Sequence, residues 1–271
     1  MAHDAILYLC RKGDPSLAAK AFFSSLSAHN AGADGDLVVV LKGFTDGETD
    51  PNLVAYRDRA GRLVHEIRMP DEGRWAINAF YEAAHQLVHD RILFLTSHSR
   101  ILADNWLSAY LEAFKCHSDC GIVGASGAYE EIPGSPFPNI NIRTNAFMMD
   151  RKLFLDIDPG PLDTKRAGNR FEAGPNSLTR QIICRGMEPI VVDRFGKTWR
   201  KEDWPASLTF RSGRQQGLLI ADNRTYDYDV SRNAKRRRLA ALAFGDRAVV
   251  TNLSMAERLS SALRWRRPGA A

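Results

Sequence analysis

No apolar stretch of this 271-residue sequence approaches the length of a bilayer-spanning helix, so no transmembrane segment is expected. The opening Met1-Ala2-His3-Asp4 lacks a basic stretch and leads into only a short apolar run, so no signal peptide is expected either. Cysteine is scarce. Of Cys10, Cys116, Cys120 and Cys184, only Cys116 and Cys120 are neighbours, without the second pair or ligand cluster of a zinc site, and all four read as reduced thiols. Internal repeats and low-complexity tracts are absent. After the first apolar run there is neither a Gly-rich dinucleotide fingerprint nor a phosphate-cradling Gly-Lys-Ser/Thr loop, which argues against nicotinamide-dependent enzymes and P-loop NTPases. The expected compartment is the cytoplasm, with peripheral attachment at the inner membrane surface as a further station.

What is present describes a folded domain. The sequence is 44% hydrophobic and 25% charged, near the globular average, and its length suits one α/β domain with appendages. The net charge of +5 is concentrated in the last third, at Lys235-Arg236-Arg237-Arg238 and Arg264-Trp265-Arg266-Arg267. Such asymmetry suits an anionic partner, whether nucleic acid, phospholipid headgroups or a diphosphate-bearing substrate, and equally a solvated basic face.

Short apolar runs at 5–10, 36–43, 63–69 and 91–95 read as buried strands, alternating with helical patterns at 16–28, 52–58, 75–89 and 104–115. Such alternation predicts a largely parallel sheet with covering helices. Further strands are expected at 121–127, 146–149 and 189–193 and a helix at 176–185. A Pro-rich loop is expected at 129–141 and an irregular segment at 156–174.

In parallel α/β sheets ligands bind beyond the carboxyl ends of the strands. That rule nominates Cys10, Arg11 and Lys12 after the first strand, and Lys42 and Gly43 after the second. It adds Pro70, Asp71, Glu72 and Gly73 after the third, and Thr96, Ser97, His98 and Ser99 after the fourth.

The run from Asp71 and Gly73 through Asn78 to Ile92-Leu93-Phe94-Leu95, continued by Asp104-Asn105-Trp106-Leu107 and Gly121-Ile122-Val123-Gly124, resembles GT-A glycosyltransferases, especially the large inverting family two. The resemblance covers roughly residues 5 to 195. It implies a GT-A-like, mostly parallel mixed sheet with helices on both faces and a C-terminal helical elaboration. Residues 1–200 would form the nucleotide-sugar-binding and catalytic core, and 201–271 the elaboration with its basic tail. It also implies that Asp71 sits near the nucleotide base and that Asn78 holds the loop. The family's metal-binding Asp-x-Asp is expected after Leu95, where Thr96-Ser97-His98-Ser99 stands instead. A divalent ion, Mn or Mg, prefers carboxylate oxygen beside a diphosphate, so His98 is the candidate metal ligand there. Alternatively His98 and the hydroxyls bond the diphosphate directly, with Arg and Lys side chains neutralising it.

Glu172, in Phe171-Glu172-Ala173-Gly174-Pro175-Asn176 ahead of a helix, matches the family's acidic catalytic motif and is the candidate base for the acceptor hydroxyl. A carboxylate at a helix start also complements the dipole, an equally good reading. Arg143, Thr144 and Asn145 are candidates for the floor of the sugar and acceptor pocket, and Arg211 and Arg214 for diphosphate contacts, with capping residues and a solvated turn as the alternatives. Asp222-Asn223-Arg224-Thr225 reads as an element end near the site, without a role. Leu253, Ala256, Leu259, Ala262 and Leu263 fall on one helical face flanked by arginines, which suits either an anionic membrane or packing onto the domain itself. The function expected is sugar transfer from a nucleotide-sugar donor to a glycan or lipid-linked acceptor, as in bacterial envelope polysaccharide synthesis. No nucleic-acid partner is expected. Nucleotidyl transfer on a similar core, and a non-catalytic binding domain, are the alternatives.

Overall fold

The computed structural model describes residues 3–45, 47–59, 64–71 and 75–266. The chain opens with β1 (Asp4–Arg11), α1 (Ala18–Ala28), β2 (Asp36–Lys42), α2 (Pro51–Arg59), β3 (Val64–Met69) and α3 (Ala76–Gln86). There follow β4 (Arg91–Leu95), β5 (Arg100–Ile101), α4 (Trp106–Cys116), β6 (Cys120–Gly124), β7 (Gly127–Ala128), β8 (Asn141–Ile142) and β9 (Ala146–Asp150). The remainder is α5 (Arg151–Asp156), α6 (Lys165–Ala173), α7 (Leu178–Cys184), β10 (Glu188–Val192), β11 (Thr198–Trp199), β12 (Ile220–Ala221), α8 (Asn223–Val230), α9 (Asn233–Phe244) and α10 (Met255–Arg266).

Eight strands form one sheet in the order β11-β10-β6-β9-β4-β1-β2-β3. β1 pairs in parallel with β2 and β4, and β2 with β3, while β9 runs antiparallel between β4 and β6. The sheet is therefore mixed and mostly parallel, as expected. Alternation along β1 divides the core. Ala5, Leu7 and Leu9 face one layer with Phe80 of α3, Phe154 of α5, Phe171 of α6 and Ile182 of α7. Ile6, Tyr8 and Cys10 face the other, with Phe22 and Phe23 of α1, Leu53 of α2 and Trp106 of α4. Both faces are thus covered, which is why these strands read as continuous apolar runs.

Leaving β1, the chain builds outward to β2 and β3 and then crosses back to place β4 on the other side of β1. The crevice at the carboxyl ends of β1 and β4 is consequently the switch point of the topology. It is walled by segments the sequence reading left irregular. The stretch 156–174 is not irregular throughout: Thr164 Oγ1 accepts from the Ala167 amide at 3.1 Å and starts α6, a helix whose three basic residues obscure its apolar side. The strand expected over 121–127 stops at Gly124. A side chain at Gly127 would meet the Trp204 ring at 2.3 Å, so the chain there lies under the returning C-terminal segment.

That segment folds back onto the core. β12 pairs with β5, the Tyr129 amide donates to the Ala243 carbonyl at 2.8 Å, and Phe244 meets Tyr129 edge-on. One member of the basic run is not at the surface: Arg236 is 0% exposed, stacks on Tyr228, and donates to the carbonyls of Tyr228 and Gly213 at 2.8 Å each, while Lys235, Arg237 and Arg238 are exposed. Leu253 does not share the apolar face of the tail helix. Leu253 is buried ahead of α10, whereas Leu259 and Leu263 are exposed. No helix among the described residues is long and apolar enough to cross a membrane.

Candidate functional site

A cavity of about 520 Å³ opens at the switch point. β1 contributes Leu9 and Arg11, and the turn after β4 contributes Thr96, Ser97 and His98. The stretch between β8 and β9 contributes Arg143, Thr144 and Asn145, α6 contributes Glu172, and the C-terminal segment contributes Arg211 and Asp222. The turn after β4 is pinned to the segment that enters β9: the Thr96 amide donates to the Asn145 carbonyl at 3.1 Å, and Ser99 Oγ donates to the same carbonyl at 2.8 Å.

The polar wall is a chain of opposite charges. Arg143 bonds Asp222 at 3.1 Å and stands 3.9 Å from Glu130, and Glu130 in turn pairs with Arg211. Both guanidiniums lie against the Phe210 ring, at 4.2 Å for Arg143 and 4.8 Å for Arg211, which fixes their planes. Arg211 adopts a left-handed backbone with φ 44°, a conformation costing about 1–3 kcal/mol in a non-glycine residue. Its amide is held by Gln215 Oε1 at 3.0 Å, so the strained position is locked from within. Burial pulls the Arg211 guanidinium down, and the Glu130 carboxylate opposes it. Burial alone would raise Asp222, yet Arg143 and the amide and hydroxyl of Thr225 outweigh it and hold the carboxyl below its ordinary value.

Glu172 of α6 lines the same cavity. Thr144 Oγ1 donates to its Oε1 at 2.7 Å. Burial raises its pKa, and Thr144, Arg143 and Arg224 offset only part of that rise. It occupies the last turn of α6 rather than the start of a helix, so the dipole does not favour its charge and the capping explanation for a carboxylate here fails. Several buried polar atoms facing this region make no hydrogen bond among the described residues: both amide atoms of Asn145 and the Nε of Arg143 and of Arg211. Buried groups of this kind are ordinarily bonded, and a ligand or water in the cavity is what such atoms are placed to meet.

Arg11, Thr96, Ser97, His98, Arg143, Thr144, Asn145, Glu172 and Arg211 therefore converge on one cavity. The other nominated residues lie elsewhere. Cys10 points to the opposite face of β1 into the α1 and α2 layer, where burial, with Asp14 and Asp50, pushes its thiol up to about 12. Ser99 is buried under the turn it stabilises. Arg214 faces α10 and pairs with Glu257 at 2.7 Å. Asn78, in α3, has a buried Oδ1 with no partner among the described residues and does not line the cavity.

Lys42 and Asp71 form a shelf at the ends of β2 and β3. Lys42 is only 1% exposed and its Nζ pairs with the exposed Asp71. Between them Gly43 has φ +82°, and a side chain there would lie 2.8 Å from Asp71 Cβ, so only glycine fits. Glu72 and Gly73 lie outside the described residues.

The polar lining residues without a signal in the sequence are Glu130 and Asn169, whereas Asp222, Asn223 and Arg224 belong to the element end expected near the site without a role. Asp222 carried a readable signal, since Asp222 and Thr225 form the capping box of α8. Glu130 carried none, because its partners are 13 and 81 residues away.

A divalent ion held by protein carboxylates does not fit this end of the sheet. Among the described residues the carboxylate beside His98 is Asp14, at 4.0 Å, and that same oxygen bonds Arg11 at 2.7 Å. No trio of His, Cys, Asp and Glu ligands forms there among the described residues.

No protein-family model matches the chain, and no curated relative is found. Solved structures align with part of the chain. TarS of S. aureus aligns with TM-score 0.45 and 13% identity, over 63% of this chain and 32% of its own. A CMP:2-keto-3-deoxy-manno-octonic acid synthetase complexed with CTP aligns with TM-score 0.43 and 10% identity, over 70% and 89%. A cytidylyltransferase from Leptospira borgpetersenii serovar Hardjo-bovis gives 0.39 and 14%, over 58% and 64%. This chain spans about a third of the length of TarS, and at these scores no residue's role is transferred from any of them.

Proposed function

We propose that the chain is a glycosyltransferase of GT-A-like architecture that moves a sugar from a nucleotide-sugar donor to a glycan or lipid-linked acceptor. One observation carries this reading: a buried carboxylate, Glu172, held by Thr144 and with its pKa raised by burial, lines the same cavity at the β1/β4 switch point as Arg143 and Arg211. Glu172 is the base. It takes the proton of the acceptor hydroxyl as that oxygen bonds the anomeric carbon, while the sugar's bond to the diphosphate breaks with its electron pair on the departing phosphate oxygen. A base with a pKa raised toward working pH is the stronger proton acceptor of the ionised carboxylates. Arg11 and His98, at the strand ends, receive the diphosphate's growing negative charge, and Arg143, Thr144 and Asn145 bind sugar or acceptor hydroxyls. The Lys42–Asp71 shelf takes the nucleotide base.

The tail supports a lipid-linked acceptor. Met255, Leu259 and Leu263 are exposed at i, i+4 and i+8 on α10, and arginines border them in the sequence, a pattern that suits an anionic lipid surface.

The test is calorimetric titration with UDP-, GDP-, CMP- and dTDP-linked sugars, each with Mn and with EDTA. One nucleotide series should bind, bind less after His98→Ala, and keep its affinity in EDTA. Binding of nucleoside triphosphate and free sugar acid, with release of pyrophosphate, would replace this reading with nucleotidyl transfer. No binding in any arm would sink the donor site.

A further inference from the structure

The opposite end of β1 carries a second cluster of ligating side chains, unconnected with the cavity. Three of the seven histidines converge there on one carboxylate. Asp36 opens β2, and its Oδ2 lies 3.0 Å from His3 Nε2 and 3.1 Å from His89 Nε2. His65, on the neighbouring β3, stands close enough to add to the field on Asp36. The two bonded imidazoles stack with centroids 4.4 Å apart and planes 11° apart.

Backbone bonds hold the contributing segments in place. The His3 amide donates to Asp90 Oδ2 at 2.9 Å, the Asp90 amide donates to the His3 carbonyl at 2.8 Å, and Arg151 Nε bonds the His89 carbonyl at 2.9 Å. His89 is 5% exposed, and its Nδ1 has no partner among the described residues, so Nε2 is the ring's one engaged nitrogen.

Two imidazoles and a carboxylate whose ligand atoms all lie within 4.8 Å of one another are the donor set of a borderline-soft divalent ion. An ion of that class sits about 2.0–2.2 Å from such nitrogens and oxygens, so it needs only a small inward movement of the three atoms. His3 is exposed and can supply it by turning its ring about χ2, a soft torsion. Mg and Ca, which take oxygen ligands, do not suit it.

We propose that His3, Asp36 and His89 bind a divalent transition-metal ion of the zinc class that pins the amino end of β1 to β2 and to the turn before β4. The site is independent of the transferase reading and stands or falls separately from it.

The full chain, stripped with a chelator and dialysed, is titrated with Co, followed by its visible ligand-field absorption, and then with Zn as competitor. The expected result is one saturable equivalent displaced by Zn. His3→Ala and Asp36→Asn should each weaken binding at least about tenfold, the scale seen even when an outer-shell partner is lost. His98→Ala, at the far end of the sheet, should leave it unchanged. Zn should also raise the melting temperature of the unaltered chain and not that of His3→Ala, an exposed position whose change leaves the core intact. Absence of saturable binding, equal uptake in all variants, or loss with His98→Ala alone would each overturn the proposal and leave only imidazole–carboxylate hydrogen bonds.

Discussion

The two ends of the sheet are built from the same strands but solve different problems. At the amino end the connections are short: 29–35 before β2, 87–90 before β4, 117–119 before β6 and 185–187 before β10. They leave room for a cluster at the surface, where His3 and Asp36 are reached by solvent and His89 is buried beneath them. At the carboxyl end the connections are long, 96–105 after β4, 125–145 between β6 and β9, and 193–222 after β10. They carry Arg143, Arg211, Glu130 and Asp222, which form one charge network whose members are buried or mostly buried. Charges at the carboxyl end are therefore costly to disturb, and those at the amino end are open to titration and exchange.

The largest test of that contrast is Glu172→Gln. It keeps the volume and can still accept from Thr144, so transfer should fall about a hundred- to ten-thousand-fold in initial-rate assays, with nucleotide-sugar affinity nearly unchanged. Full activity in this variant would remove Glu172 from the chemistry. Folding raises its pKa, so its ionisation opposes the folded state above that value, and Glu172→Gln should also stabilise the protein at neutral pH.

Next comes Asp222→Ala, which strips a buried partner from Arg143 and the cap from α8. Urea denaturation should show a loss of about 3–5 kcal/mol, whereas an effect as small as that of a surface pair would mean the network is solvated. The native pKa of Asp222 is lowered, so its stabilisation is complete above the unfolded-state value and is lost as pH falls through the native one. Asp222→Asn should therefore flatten the acid limb of stability against pH.

A smaller effect is expected from Thr144→Val. The Thr144 hydroxyl lowers the pKa of Glu172, so its loss raises that pKa further. Since the base works ionised, the acid limb of kcat/KM should move to higher pH with the plateau rate largely kept. An unmoved limb would assign the profile to another group.

The smallest effect concerns the tail. Leu259→Glu with Leu263→Glu should weaken flotation with anionic vesicles about tenfold, on the scale of burying such side chains, and leave transfer to a water-soluble acceptor unchanged. Equal flotation would leave α10 as a solvent-facing helix.

How much of this was legible in the sequence follows the same division. The apolar runs of β1, β2 and β4 announced buried parallel strands because both faces of each are covered, and the residues directly after β1 and β4 could be nominated from the switch-point rule. Arg143, Thr144 and Glu172 were nominated by resemblance, and Glu172 was assigned to the wrong local setting, since α6 hides its apolar side among Lys165, Arg166 and Arg170. Cys10 was nominated by the strand-end rule and Arg214 by resemblance, yet strand alternation turns Cys10 to the other face and Arg214 pairs with Glu257 of α10.

The sequence by itself determined the alternation of strands and helices, which strands are covered on both sides, and where the crevice opens, because those follow from local periodicity and chain direction. Only the tertiary structure decided that Glu130 and Asp222 face Arg143 and Arg211, that Arg236 is buried, and that His3, Asp36 and His89 meet. These are pairings across tens of residues, set by how long loops pack over a closed sheet, and no local pattern encodes them.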